Sequence, residues 1–93
     1  MVVMLNQKAQ VVEKPEPVYT DAARKFGVQG TVILRAVFSR DGQVTDIRVI
    51  KRLPHGLTQV ALTAARRIKF SPALKDGHPV SQYIQLEYNF NLY

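Results

Sequence analysis

Residues 82–92 alternate without interruption. Ile84, Leu86, Tyr88, Phe90 and Leu92 are apolar or aromatic, and Tyr83, Gln85, Glu87, Asn89 and Asn91 stand between them. A period of two sends the two sets to opposite faces of a strand. A chain of 93 residues builds a single core. A strand with one apolar face therefore calls for an antiparallel sheet covered on one side and open on the other. The segment also lacks the Lys and Pro that natural edge strands use to prevent pairing.

The preceding sequence supplies the rest of such a sheet. Residues 1–18 read as an extended arm with one short strand near Gln10 to Glu13, because Pro15 and Pro17 hold the chain in extended geometry. Thr20 reads as a helix N-cap with Asp21 in the first turn, and Gly27 as the stop, giving a two-turn helix over about 20–27. From Gly30, Val32, Leu34, Ala36 and Phe38 share one face of a strand. Asp41-Gly42 marks a hairpin turn, and Val44 to Lys51 forms the return strand with Ile47 and Val49 inward. Leu57, Val60, Ala61, Ala64, Ala65 and Ile68 make one helical stripe over about 58–69. Asp76-Gly77-His78-Pro79 turns the chain into the last strand, 81–92. The fold class predicted is α+β: two helices on one face of a small three-stranded antiparallel sheet, with an extended N-terminal arm. The order is hairpin return strand, central strand, C-terminal strand, which leaves the last strand at an edge.

Composition narrows the chemistry. There is no Cys, so neither disulfides nor thiolate metal sites hold the domain and thiol nucleophiles are excluded. His55 and His78 are the only histidines, each in a Gly and Pro loop with no second ligand at metal spacing. Asp41 and Asp76 are accounted for by turns and Asp21 by a helix start, and the Gly27 to Gly30 loop lacks the Lys and Ser or Thr of a phosphate loop. No catalytic, cofactor or metal site is expected. The longest N-terminal apolar run, Val2-Val3-Met4-Leu5, is too short to cross a bilayer.

A net charge of +6 and the run Arg66-Arg67-Ile68-Lys69 admit nucleic acid as a partner. The aromatic residues argue against it. An RNA-reading sheet displays aromatics on its open face, whereas Phe38, Tyr88 and Phe90 fall on the apolar side and only Tyr83 and the terminal Tyr93 are left to the outside. An unprotected edge instead suits a partner's strand, whose backbone would complete the ladder. Two other uses stay open: another part of this chain, such as residues 2 to 13, covers the edge, or a second copy pairs with it as a homodimer.

The order of several short motifs resembles a known family. Pro17-Val18-Tyr19, Ala22-Ala23-Arg24, Gly27, Gln29-Gly30-Thr31-Val32, Asp41-Gly42-Gln43-Val44, Ala64-Ala65-Arg66, Pro72-Ala73, Pro79-Val80 and Phe90 together resemble the TonB C-terminal domain, over about residues 14 to 93. The resemblance implies residues 1–17 as the arm and 18–93 as the domain. It further implies a non-enzymatic periplasmic module of an energy transducer. Such a module is anchored to the inner membrane and coupled to ExbB and ExbD through an N-terminal part that this sequence does not include. Members hold the TonB box of outer-membrane transporters as a strand added to their C-terminal strand. The matching positions here are Glu16 and Pro17 at the end of the arm, Tyr19 just after it, and Tyr83, Gln85, Leu86, Glu87, Tyr88, Asn89, Phe90 and Asn91 in the last strand. In this sequence Thr20 follows Tyr19 where the family usually has Pro, Glu16 stands for Gln, and Ile68 for a frequent Trp.

Overall fold

The structure, a computed structural model, describes residues 6–92. The run Val2 to Leu5 and Tyr93 lie outside the described residues. The chain is α+β, with antiparallel strands and two helices in the order β1 (Asn6–Gln7), β2 (Gln10–Glu13), α1 (Asp21–Lys25), β3 (Gly30–Phe38), β4 (Val44–Lys51), α2 (Leu57–Arg66), β5 (Lys69–Ser71), β6 (Ala73–Lys75), β7 (His78–Val80) and β8 (Gln82–Phe90).

The helix ends follow from local chemistry. Thr20 Oγ1 accepts from the Ala23 N–H at 3.1 Å, which caps α1. At the other end Gly27 takes φ +64°, so that Val28 N–H reaches Ala23 C=O at 2.8 Å and Gly27 N–H reaches Arg24 C=O at 3.2 Å. This double closure is available to Gly without the Cβ penalty of the left-handed region. Tyr19, just before α1, donates its hydroxyl to Val28 C=O and sets its ring edge-on to Phe90 with centroids 5.6 Å apart. The arm is thereby fixed to the end of β8.

The largest sheet has the order β4-β3-β8, both pairings antiparallel. The β3–β8 register is unbroken from Gly30↔Phe90 to Phe38↔Gln82. In β4 the left-handed φ of Asp46, +50°, inserts an extra residue, so Val37 pairs with Thr45 while Arg35 pairs with Arg48. The bulge keeps Val44, Ile47 and Val49 packed against the core. Val32, Leu34, Ala36 and Phe38 of β3 are buried, together with Leu86, Tyr88 and Phe90 of β8, Ala23 of α1, and Leu57, Ala61, Ala64 and Ala65 of α2. They form one cluster, as the period-two and helical patterns predict.

Several expectations are corrected, and the first helix is one of them: it spans only Asp21–Lys25, because the Gly27 closure ends it before the two turns expected over 20–27. The second helix does not reach residue 69: it closes at Arg67, whose N–H returns to Ala64 C=O, and Lys69 to Ser71 pairs with β2 as a strand. Ile68 is buried and continues the apolar stripe, so the pattern alone cannot show where the helix stops. The sheet of three strands is also accompanied by two small ones, β2-β5 and β1-β6-β7. The expected turn at Asp76-Gly77 is the tip of the β6–β7 hairpin, with φ +52° and +79° at the two central positions. The last strand is shorter than 81–92 and ends at Phe90.

Candidate functional site

β8 is an edge strand: among the described residues its only strand partner is β3. In an antiparallel strand the N–H and C=O of one residue leave on the same side, and successive residues alternate. Two contacts fix which residues face outward. Lys14 Nζ donates to Glu87 C=O at 3.1 Å from the arm, while Leu92 N–H donates to Gln29 Oε1 at 2.9 Å on the β3 side. The backbone groups of β8 that the β3 ladder does not use therefore belong to Tyr83, Gln85, Glu87 and Asn89, and of these the Glu87 C=O is taken by Lys14. The side chains of these four residues are also exposed.

The arm runs beside this edge in the same direction as β8. Ala9 N–H donates to Gln82 Oε1 at 2.9 Å, Lys14 lies at Glu87, and residues 14–17 with residues 87–89 line a shallow depression. Among the described residues no backbone ladder joins arm and β8, since β2 pairs with β5 instead. Pro15 and Pro17 have no N–H to offer one. Of the possible covering segment 2 to 13, the described part thus leaves the edge without a paired strand, and residues 2–5 lie outside the described residues.

The structure divides the residues singled out in the sequence. Glu16, Pro17, Glu87, Tyr88 and Asn89 come together around the depression. Tyr83 and Gln85 lie further along the strand, on the open face of the sheet. Leu86, Tyr88 and Phe90 are buried in the core and their backbone groups face β3, so any part they play is positional. Tyr19 packs on Phe90 and acts on the arm's position. Asn91 is exposed and lies past the end of β8. The outward side chains are not all unengaged: Asn89 Oδ1 accepts from Thr31 Oγ1 at 2.7 Å, and Gln85 Nε2 donates to Glu87 Oε2 at 3.3 Å. Lys14 is the contributor that sequence reasoning missed. It reaches Glu87, 73 residues away along the chain, and also the Tyr88 ring, at 4.6 Å from the centroid, and no local pattern reports such contacts.

Tyr88 has one further peculiarity. Its hydroxyl is buried and has no hydrogen-bond partner among the described residues, and burial pushes its pKa up from the ordinary value near 10 to about 12. The folded state then holds this proton more tightly than the unfolded chain. Stability from this source is present below pH 10 and is lost progressively as pH rises from 10 to about 12. Tyr88→Phe should remove that part of the alkaline loss. It should leave stability at pH 7 unchanged or raise it by on the order of 1 kcal/mol, since an unsatisfied hydroxyl is deleted. Urea midpoints at pH 7, 10 and 11.5 check this; a clear loss at pH 7 would show that the hydroxyl has a partner.

Among the described residues no group of three or more His, Asp or Glu could hold a metal ion. His55 sits at φ +58° in the loop before α2 and stacks on Phe26, with centroids 4.6 Å apart. Among the described residues the one ion pair, Lys69 to Glu13 at 3.8 Å, joins two exposed side chains and contributes little.

Residues 15–92 match the family described as Gram-negative bacterial TonB protein C-terminal. Protein TonB of Vibrio cholerae is 32% identical over 91 residues, covering 97% of this chain and 37% of the relative. Protein TonB of Xanthomonas campestris is 35% identical over 77 residues, covering 82% of this chain and 34% of the relative. The chain thus spans about a third of the length of these relatives. The solution NMR structure of the TonB C-terminal domain of Pseudomonas aeruginosa superposes with a TM-score of 0.73 at 22% identity, covering 91% of this chain and 87% of that one. That likeness concerns the fold.

Proposed function

Because this chain belongs to the TonB C-terminal domain family, we propose that it grips the TonB box of an outer-membrane transporter by strand addition at Tyr83, Gln85, Glu87 and Asn89. The family is one of non-enzymatic protein-interaction domains of the Gram-negative periplasm, and its role is in energy-transducing transport. The observation that carries the reading is the unpaired outer edge of β8, a nine-residue strand with neither Lys nor Pro. Each backbone hydrogen bond made there contributes about 0.5–1.5 kcal/mol net, so a short added strand gives moderate, reversible binding. Force applied along the strands would load these bonds together, in shear. In the full-length protein a preceding segment would anchor the domain to the inner membrane and couple it to ExbB and ExbD; among the described residues no helix is long and apolar enough to cross a membrane.

Strand addition also says what must move. An incoming strand bonding to Glu87 has to replace Lys14, which occupies its carbonyl. Lys14→Met should therefore tighten peptide binding a few-fold, on the order of 0.5–1 kcal/mol, by removing a competitor. Titration calorimetry of parent and variant with a TonB-box peptide tests both statements. Saturable binding by the parent, tightened in Lys14→Met, supports the reading. No heat with the peptide, alongside saturable heat with a single-stranded oligonucleotide, would refute it. Pairing of two copies through the same edge is the competing use, and sedimentation at several concentrations separates it: a dimer that the peptide dissociates places both on β8.

A further inference from the structure

The open face of the large sheet carries a second feature, separate from the edge. Cross-strand pairs define three rows on it: Lys51, Ile33 and Glu87; Arg48, Arg35 and Gln85; Thr45, Val37 and Tyr83. In the middle row two arginines stand directly opposite each other on β3 and β4, both exposed. Like charges in that relation destabilise a sheet. Neither arginine has a carboxylate within ion-pairing distance among the described residues. Two acidic groups are close by without relieving the pair. Asp46 lines the same depression as Arg35, Arg48 and Tyr83, and the Glu87 carboxylate is held by the Gln85 amide. Beside the arginines the Tyr83 ring is 78% exposed.

From this arrangement we infer that the open face docks an acidic segment of a partner protein, with Arg35 and Arg48 receiving its carboxylates and Tyr83 covering its apolar part. A guanidinium can offer a carboxylate two parallel N–H donors, the geometry in which Arg binds most strongly, and two arginines stand at paired positions here. Arg and Tyr are also the residues that carry binding energy in protein interfaces. A pair that lowers the stability of the free domain recovers that loss when an anionic partner is bound. A nucleic acid fits less well. It would need several exposed rings, and Phe38, Tyr88 and Phe90 are turned into the core. Asp46 and Glu87 at the margins repel a continuous phosphate chain, whereas spaced carboxylates can avoid them. The inference is independent of strand addition, since it concerns side chains on the face and no backbone group of the edge.

The test is an NMR titration with a capped hexaglutamate peptide, observing backbone amides and Arg side-chain N–H signals, with hexathymidylate in parallel. The expected result is saturable shifts centred on Arg35, Arg48 and Tyr83. Affinity should fall about tenfold in Arg35→Gln/Arg48→Gln and stay unchanged in Arg66→Gln/Arg67→Gln. Equal losses in the two double variants would reduce the effect to net charge and overturn the proposal. Tighter binding of hexathymidylate at the same residues would overturn it in favour of nucleic acid. A thermal midpoint of Arg48→Gln at or above that of the parent supports a pair kept for binding; a lower midpoint makes the pair structural and contradicts it.

Discussion

Glu87→Pro is expected to weaken binding of a TonB-box peptide roughly a hundredfold while leaving the domain folded. The Glu87 N–H points away from β3, as the Lys14 contact to the same residue's carbonyl indicates. Proline there removes a donor that no strand of the domain uses and places its ring in the path of an added strand, and edge positions of this kind tolerate Pro. The loss comprises one hydrogen bond and the continuity of the ladder on both sides. It should amount to on the order of 2–3 kcal/mol, roughly a hundredfold in affinity. Gln85→Pro should behave alike. Leu86→Pro, one residue away, should have the opposite character: its N–H belongs to the β3 ladder and its side chain to the core, so the domain itself should unfold. Calorimetry for binding and urea denaturation for stability separate the two effects. Unchanged peptide affinity in both Gln85→Pro and Glu87→Pro would remove the edge from the mechanism.

The largest loss of stability is expected for Phe38→Ala. Phe38 is 1% exposed, ends the central strand opposite Val44 and Gln82, and stacks on Phe70 with centroids 4.2 Å apart at 17°. It is therefore the side chain that ties the large sheet to β5 and, through the β2–β5 pairing, to the arm. A buried Phe→Ala change costs about 3–5 kcal/mol, a large part of the 5–15 kcal/mol that holds an ordinary domain together. Urea unfolding should show that loss. Hydrogen exchange should show the β2–β5 amides losing protection ahead of β3. A cost below about 1 kcal/mol would mean that Phe38 is not the joint described.

What the sequence discloses depends on the range of the interactions that fix each element. The alternation in β3 and β8 and the stripe in α2 result from burial against one core, and periodicity reports burial directly. Thr20, Gly27 and Asp41-Gly42 mark their boundaries because caps and turns act within a few residues. The three short strands β5, β6 and β7 leave no such trace. β5 and β6 owe their pairing in part to the arm, with Val11 opposite Phe70 and Asn6 opposite Lys75, and such distant partners are silent in a local window. The same limit explains the misplaced end of α2, where Ile68 satisfies the helical stripe and the buried site beyond the helix equally well. In the candidate site, the edge character of β8 follows from composition and strand order. The placement of Lys14 on Glu87, and the apposition of Arg35 and Arg48 through the Asp46 bulge, arise only once the chain is folded.

Amide hydrogen exchange along β8, with and without a TonB-box peptide, tests the central claim most directly. In the free domain Ile84, Leu86, Tyr88 and Phe90 should be protected by the β3 ladder while Tyr83, Gln85, Glu87 and Asn89 exchange freely. Saturating peptide should slow the second set and leave the first nearly unchanged. Peptide binding that leaves Tyr83, Gln85, Glu87 and Asn89 exchanging as before would contradict strand addition at this edge.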